Sequence, residues 1–307
     1  MKQQSNTTDF VGNGRQNLAA MVLSASILCS LSGCRMMGLT PAGMMGGYSG
    51  NIVESVNRQE DPELVRQGVP SFILLLDAML VDEPDNPELL RAAATIYATY
   101  AQAFVVPGEA SERAVILYRR AKDYGLRLLS QRAFFASAKD GTFEAFEKAL
   151  PLFSKRDVPD LYAAGNAWLG WILSQPDSMA ALADLSKALA LTQRVLDLDE
   201  SYANGGAHLV FGIYYAVQPP GGGRDLEKSD KHFQRAIQLA GDDNFLPQVL
   251  YAEFYAITAV NEGLFVKTLE NVLSKEAIGQ EKSSHALSNA IARERAKRLL
   301  GKKDDYF

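Results

Sequence analysis

The chain has 307 residues, 47% of them hydrophobic and 22% charged, with a formal net charge of −5. A chain of this length can bury a substantial core. Its mild acidity argues against nucleic-acid binding, which needs a basic face to neutralise phosphates. The three histidines, at positions 208, 232 and 285, have no second ligand-type residue at the spacings typical of metal sites. We therefore expect no bound metal and no cofactor.

The N-terminal region has the pattern of an export signal. Lys2 and Arg15 precede an uncharged run, LAAMVLSASILCSL, over residues 18–31. Basic residues followed by a short apolar run are typical of a signal peptide, and this run is too short to span a bilayer as a helix. The next residues, Leu31-Ser32-Gly33-Cys34, resemble the lipobox of bacterial lipoproteins, in which a diacylglycerol is attached to the cysteine thiol before cleavage.

Cys34 is the predicted lipid attachment site, which makes residues 1–33 a lipoprotein signal peptide that is removed. Cys29 follows the bulky Leu28 and fits the apolar run rather than the lipobox. Arg35 follows the anchor, and by resemblance to bacterial lipoproteins this favours the outer membrane over the inner membrane. The predicted location is therefore the periplasm, with the lipid in the outer membrane. The alternative interpretation of the apolar run is a short buried helix.

A flexible tether is predicted after the anchor, so that residues 34–50 comprise the lipidated cysteine and this tether. Its sequence, RMMGLTPAGMMGGYSG, is rich in glycine and methionine. The four methionines are soft ligands of the kind that Cu(I) prefers. They have no His or Cys partner, so we favour the tether.

Residues 51–307 are predicted to form one helical-repeat domain. Apolar residues recur at three- and four-residue spacing, and alternating runs bounded by tight turns are absent. Breaks rich in proline, glycine and aspartate leave segments of about 12–25 residues, the length expected for antiparallel helix hairpins. The breaks are predicted at residues 84–87, 106–108, 140–141, 157–159, 175–177, 219–223 and 241–244. The predicted fold class is all-α.

A faint internal repeat refines this prediction. In a tetratricopeptide hairpin the first helix carries a small residue that lets the second helix approach closely. This pattern occurs at Ala93-Ala94 with Tyr97, Leu169-Gly170 with Leu173, and Phe211-Gly212 with Tyr215. The second-helix pattern occurs at Ala114-Tyr118-Ala121, Thr142-Phe146-Ala149, Ser229-Phe233-Ala236 and, loosely, Ala188-Thr192-Val195. We expect a right-handed α-solenoid of about four degenerate tetratricopeptide-like hairpins, with an ordinary helical bundle as the alternative.

Three stretches, in order and together with the lipobox, resemble one family. They are VPSFILLLDAMLVDEPDNPELLRAAATIYATYAQAFV (69–105), DVPDLYAAGNAWLGWILS (157–174) and HLVFGIYYAVQPPGGGRDLEKSDKHFQRAIQLAGDDNFLPQVLYAEFYA (208–256). The chain resembles the T-component lipoproteins associated with TRAP transporters, the TatT family. The resemblance implies a tetratricopeptide-like periplasmic lipoprotein that associates with a transporter's substrate-binding protein. It also implies homotrimers, a pore or cleft through each protomer, and small organic acids or other apolar-tailed molecules as the transported ligands.

Candidate binding residues are aromatic side chains with polar tips, which suit the concave face of a solenoid. The candidate cleft-lining residues are Asn166, Trp168 and Trp171 in one helix and His208, Tyr214 and Tyr215 in the repeat-equivalent one. The alternative is that these rings pack between helices.

The loop PPGGGRD contains Gly221, Gly222 and Gly223, which lengthen a loop that is usually shorter in the TatT family. We expect it to join two helices and to end in an aspartate N-cap; anion binding by the glycine-rich turn is the alternative. A phosphate loop after a strand and a nucleophile-elbow motif are both missing from the sequence, so we do not expect an enzyme.

The sequence therefore predicts a lipid-anchored periplasmic helical-repeat protein. It would bind the substrate-binding protein of a TRAP transporter and a small apolar organic acid. The alternative is a tetratricopeptide scaffold lipoprotein for outer-membrane assembly or secretion.

Overall fold

The computed structural model describes residues 54–105, 112–275 and 284–307. The predicted signal peptide, the lipid attachment at Cys34 and the tether lie outside these residues, as does the predicted break at 106–108. Within the described ranges every regular element is helical, which confirms the all-α fold class.

Capping residues fix the start of the first two helices. Helix α1 (Pro62–Asp82) begins after Asp61, whose side chain accepts hydrogen bonds from two backbone N–H groups of the first turn. Helix α2 (Pro87–Phe104) begins after Asn86 in the same way. In both helices proline occupies the first position, where its missing N–H costs no helical hydrogen bond.

The remaining helices continue in chain order. They are α3 (Glu112–Leu129), α4 (Ala133–Ala138), α5 (Phe143–Ala149), α6 (Val158–Leu173), α7 (Met179–Ala183), α8 (Leu185–Asp199), α9 (Tyr202–Val217), α10 (Leu226–Ala240), α11 (Leu246–Leu250), α12 (Glu262–Ser274) and α13 (Ala286–Gly301). A π-helical segment, Tyr251–Ala256, extends α11. The predicted breaks that fall on described residues are confirmed, because each lies at a helix boundary or between two helices.

Glycines allow close contacts between helices: Gly212 contacts the following helix, as the repeat pattern predicted, whereas Gly170 contacts the earlier helix α3. A Cβ added to Gly212 of α9 would lie 2.9 Å from the ring of Phe233 in α10. A Cβ at Gly170 of α6 would lie 2.2 Å from the ring of Tyr118 in α3. Real side chains do not approach this closely, so only glycine allows these aromatic rings to pack against the neighbouring helix.

The core consists of several clusters of buried side chains. The central cluster surrounds α6 and includes Phe135, Phe146 and Trp168. A C-terminal cluster joins the region of α11 to α12 and α13. A third cluster joins α1, α2 and α3, and Leu287 of α13 belongs to it. The last helix therefore contacts both the first helices of the domain and its C-terminal part.

Helix α1 has two different faces. On the inner face, Asp77 accepts hydrogen bonds from the hydroxyls of Tyr97 and Tyr124, each at 2.7 Å. On the outer face, Leu74 and Val81 are 69% and 80% exposed. Among the described residues, α1 is also the one helix whose length and composition would let it cross a membrane.

Candidate functional site

The candidate site lies on the hairpin formed by α9 and α10. At the start of α9, Ala203, Asn204 and Gly205 have positive φ angles of 51°, 55° and 79°. The regular part of the helix therefore starts after Gly205, one turn before His208. Left-handed conformations at non-glycine residues cost about 1–3 kcal/mol each and recur at functional sites.

The antiparallel register of the hairpin is fixed by two contacts. The backbone N–H of Asp225 donates to the carbonyl of Tyr215 at 3.1 Å. Further along, the Ser229 hydroxyl, which is fully buried, donates to the carbonyl of Gly212 at 2.7 Å. Continuing in this register places His208 of α9 opposite His232 of α10.

The two imidazoles meet through the same type of nitrogen. The Nδ1 atoms of His208 and His232 are 2.9 Å apart, so one must donate a hydrogen bond and the other must accept it. The ring of His232 also stacks on Phe211 and Tyr215, with centroid distances of 5.4 and 5.8 Å. Tyr214 contacts Tyr215 edge-on at 5.3 Å. We call these five residues the histidine–aromatic cluster.

Charged residues border the cluster on both sides. The Nε2 atom of His208 is 3.1 Å from a carboxylate oxygen of Glu200, and Arg235 donates to both oxygens of the same carboxylate. Arg235, with His208 as the smaller contributor, lowers the pKa of Glu200 to about 2. At the opposite end, the ammonium of Lys228 lies 5.3 Å from the centre of the Tyr215 ring.

His232 is kept neutral near pH 7. Burial lowers its pKa to about 4, and the electrostatic interaction with His208 acts in the same direction. The cluster therefore presents half-buried aromatic surface with one neutral imidazole in its centre. Among the described residues, three or more His, Cys, Asp or Glu side chains nowhere converge in a geometry suited to a metal ion.

The predicted residues of α6 make separate contacts. Trp168 is 3% exposed and packs against Phe146, while its indole N–H donates to Asp184 at 3.1 Å. Trp171 is half-buried, and the ammonium of Lys122 lies 3.8 Å from its ring centre. Asn166 is half-buried on the same helix. The structure thus groups His208, Tyr214 and Tyr215 in one cluster, whereas Trp168 contributes to the core.

The glycine loop is a helix connection that ends in a cap. Gly221 and Gly223 have φ angles of 76° and 114°, conformations that side chains with a Cβ rarely adopt. The loop ends at Asp225, whose side chain accepts a hydrogen bond from the backbone N–H of Lys228 in the first turn of α10. This confirms the predicted aspartate N-cap.

Sequence reasoning missed His232 as a site residue. It lies 24 positions from His208, a separation that corresponds to no metal motif. The signal that could have found it is the hairpin register, because both histidines fall on facing positions when α9 and α10 pair through Gly212 and Ser229.

Comparison with known proteins identifies the class. The model of the family described as TRAP transporter T-component matches residues 58–307, and the chain belongs to this family. It is also 26% identical over 265 residues to an uncharacterised protein of Treponema pallidum (strain Nichols), an alignment that covers 81% of each chain. The resemblance derived from the three sequence stretches is therefore confirmed.

Membership of the family has three consequences. It implies association with TRAP transporters, and the T-component is a transporter component rather than a known family of enzymes. It also indicates a periplasmic or membrane-associated location.

Proposed function

We propose that the chain is a lipid-anchored periplasmic protein that binds the substrate-binding protein of a TRAP transporter through the histidine–aromatic cluster. The observation that carries this proposal is the family match over residues 58–307, which extends across the whole of the α9–α10 hairpin. A small apolar organic acid is a second ligand in the proposal.

The composition of the cluster suits a protein partner. Tyrosine and arginine are over-represented among residues that dominate binding energies at protein interfaces. Tyr214, Tyr215 and His232 are each half-buried, so a partner can cover the exposed part of their rings. The charged pair of Glu200 and Arg235 at the edge then corresponds to the polar rim of an interface.

The cluster is also ordered before any partner binds. The ring of His232 packs against both Phe211 and Tyr215 and contacts the nitrogen of His208. Immobilising a flexible side chain at an interface costs about 0.5–1.5 kcal/mol, and rings that are already fixed avoid much of this cost. A preformed surface therefore favours binding without a large rearrangement.

The anchor and tether would act by proximity. A lipidated Cys34 in the outer membrane would keep the domain close to the envelope, with the tether of residues 35–50 giving it reach. Such confinement raises the effective concentration of the domain for a membrane-associated partner without any additional contact.

The repeat architecture and the oligomer belong to the same proposal. The close helix contacts at Gly170 and Gly212 support a right-handed solenoid of tetratricopeptide-like hairpins.

The outer face of α1 supports a homotrimer, since Leu64, Leu74, Leu75 and Val81 are all exposed on one helix. Exposed apolar side chains grouped on one helix face are typical of interaction sites.

Binding to the purified substrate-binding protein encoded by the same organism tests the proposal. We expect Tyr215→Ala to weaken the affinity roughly tenfold or more, in the range of an interface residue that dominates binding. Lys231→Ala is the matched control, because Lys231 is exposed on α10 and, within the described part of the chain, its ion pair is with Glu227 of its own helix. Equal affinities for the two variants would remove the cluster from the interface, and absence of binding by the unmodified chain would refute the proposal itself.

A further inference from the structure

We propose that Asp230 of α10, together with Tyr251 and Tyr255 of the π-helical segment, binds a guanidinium group. The group is carried either by an arginine side chain of a protein or by a free guanidinium compound. We call these three residues the acidic–tyrosine site. The inference goes beyond the proposed function, because none of the three residues belongs to the histidine–aromatic cluster.

The two tyrosine rings form a stacked pair beside the carboxylate. The ring centroids of Tyr251 and Tyr255 are 4.8 Å apart, and the ring planes differ by 14°. The hydroxyl of Tyr251 donates a hydrogen bond to Oδ1 of Asp230 at 2.6 Å. Tyr251 is buried, whereas Tyr255 is half-buried and keeps accessible surface. The site therefore has an inner ring that is fixed by a hydrogen bond and an outer ring that a ligand can reach.

One oxygen of the Asp230 carboxylate is available to a ligand. Oδ1 accepts hydrogen bonds from the hydroxyl of Tyr251 and, at 3.3 Å, from the side-chain amide of Gln234. Oδ2 accepts no hydrogen bond from any residue in the described ranges, and Asp230 is half-buried. The two donors orient the carboxylate, so Oδ2 is left for a donor from outside the chain.

The negative charge of Asp230 has no counter-ion in the described part of the chain. The two lysines closest to it in sequence are paired with other acids. The ammonium of Lys228 lies 3.0 Å from the carboxylate of Asp225, and that of Lys231 lies 2.6 Å from the carboxylate of Glu227. A half-buried carboxylate that lacks a counter-ion is stabilised by a cation. The uncompensated charge therefore selects a positively charged ligand.

The combination of carboxylate and rings favours a guanidinium over an ammonium. A guanidinium is planar, stacks on aromatic faces and donates two parallel hydrogen bonds to a carboxylate, whereas an ammonium is compact and strongly hydrated. Burial, and after it the negative charge of Asp230, raises the pKa of Tyr255. The carboxylate and the accessible ring are thus close enough to act on the same cation, by charge and by a cation–π contact.

Titration calorimetry of the full chain in detergent, with N-acetylarginine amide as the probe, tests this inference. We expect saturable binding of this probe, weaker binding of N-acetyllysine amide, and no binding of the neutral isostere N-acetylcitrulline amide. Asp230→Asn should weaken binding of the arginine probe roughly tenfold, since it removes the charge. The asparagine oxygen can still accept the hydrogen bond from Tyr251, so the site keeps its shape.

Glu227→Gln is the matched control. It removes one negative charge from the same helix, three residues before Asp230, and should leave the affinity for the probe unchanged. Tyr255→Leu removes the accessible ring and keeps the carboxylate, so it should weaken binding roughly threefold or more. Unchanged thermal unfolding midpoints show that the variants are folded. No binding of the arginine probe, or equal affinities of the unmodified chain and Asp230→Asn, would overturn the inference.

Binding of the purified substrate-binding protein distinguishes the two sources of the guanidinium. Weaker binding of that protein by Asp230→Asn, with Glu227→Gln unchanged, would assign the group to an arginine of the partner. Unchanged binding of the protein, together with loss of the arginine probe, would assign the site to a free guanidinium compound. Absence of protein binding by the unmodified chain refutes the proposed function alone, because the probe is measured without the partner.

Discussion

The Nδ1 atoms of His208 and His232 lie 2.9 Å apart, although 24 residues separate the two histidines in the chain. The contact exists because α9 and α10 pack as an antiparallel hairpin, with Gly212 admitting the ring of Phe233 at its centre. At least one of the two imidazoles must be neutral to accept this hydrogen bond.

This arrangement predicts a pH-dependent stability. The pKa of His232 is about 4 in the folded protein against an ordinary value of 6.5, so the unfolded chain binds more protons between these values. His232 therefore does not lower the free energy of unfolding above pH 6.5, and this free energy decreases as the pH falls towards 4. A shift of this size, discounted for partial exposure, corresponds to a loss on the order of 2 kcal/mol. Urea denaturation at pH 7 and pH 4.5 measures it.

His232→Gln is the variant that isolates this effect. Glutamine does not titrate in this range, so the variant should lose less stability than the unmodified chain between the two pH values. An identical pH dependence in both proteins would mean that another group is responsible.

The close contact at Gly212 predicts that replacing this glycine by alanine destabilises the folded protein. Gly212→Ala places a Cβ 2.9 Å from the Phe233 ring, which forces the two helices apart. We expect a loss of about 1–3 kcal/mol in the free energy of unfolding, as for other overpacked cores.

Gly68 provides the control for the change from glycine to alanine. It lies on the exposed side of α1 with open space where a Cβ would be. Gly68→Ala should therefore stabilise the protein by about 0.5–1 kcal/mol, because alanine is the better helix former. Chemical denaturation of both variants measures whether each substitution raises or lowers the free energy of unfolding. An unchanged free energy of unfolding in Gly212→Ala would show that the hairpin accommodates the added Cβ.

The outer face of α1 predicts an effect of charge on the oligomer. Leu74→Glu places a carboxylate on the exposed apolar face, where burial in a subunit contact would cost its desolvation. We expect light scattering to report a change from trimer to monomer, so that the measured mass falls to about one third of its original value. Leu152→Glu is the control, because Leu152 is 62% exposed on a different part of the surface. If both variants keep the same mass as the unmodified chain, α1 is not the subunit contact.

The lipobox predicts how the chain is attached to the membrane. Cys34→Ser removes the thiol that would carry the diacylglycerol, so the variant should incorporate no radiolabelled fatty acid and leave the membrane fraction. Cys29→Ser should be labelled like the unmodified chain, since Cys29 lies in the apolar run. Membrane association that survives Cys34→Ser would instead point to another anchor.

The sequence predicted the helices better than the contacts between them. Helix ends follow local chemistry, such as the Asp61 and Asn86 caps before proline, and local chemistry can be recognised from short patterns. The repeat patterns also identified Gly170 and Gly212, because in both a small residue is followed three positions later by a large side chain, Leu173 or Tyr215.

The remaining features depend on contacts between distant residues. His232 has no local signature, because its partner His208 lies on another helix. Trp168 was predicted to line the cleft, with packing between helices as the alternative, and it is 3% exposed in the core. Its partner, Asp184, follows it by 16 residues and lies just before α8.

The most direct test of the central claim is cross-linking in the cells of the source organism, followed by recovery of the full chain from the envelope. We expect the substrate-binding protein of a TRAP transporter to be the main cross-linked partner, and we expect Tyr215→Ala to reduce its yield while Lys231→Ala does not. Recovery of outer-membrane assembly or secretion proteins in its place, with equal yields for both variants, would contradict the account and favour the scaffold alternative.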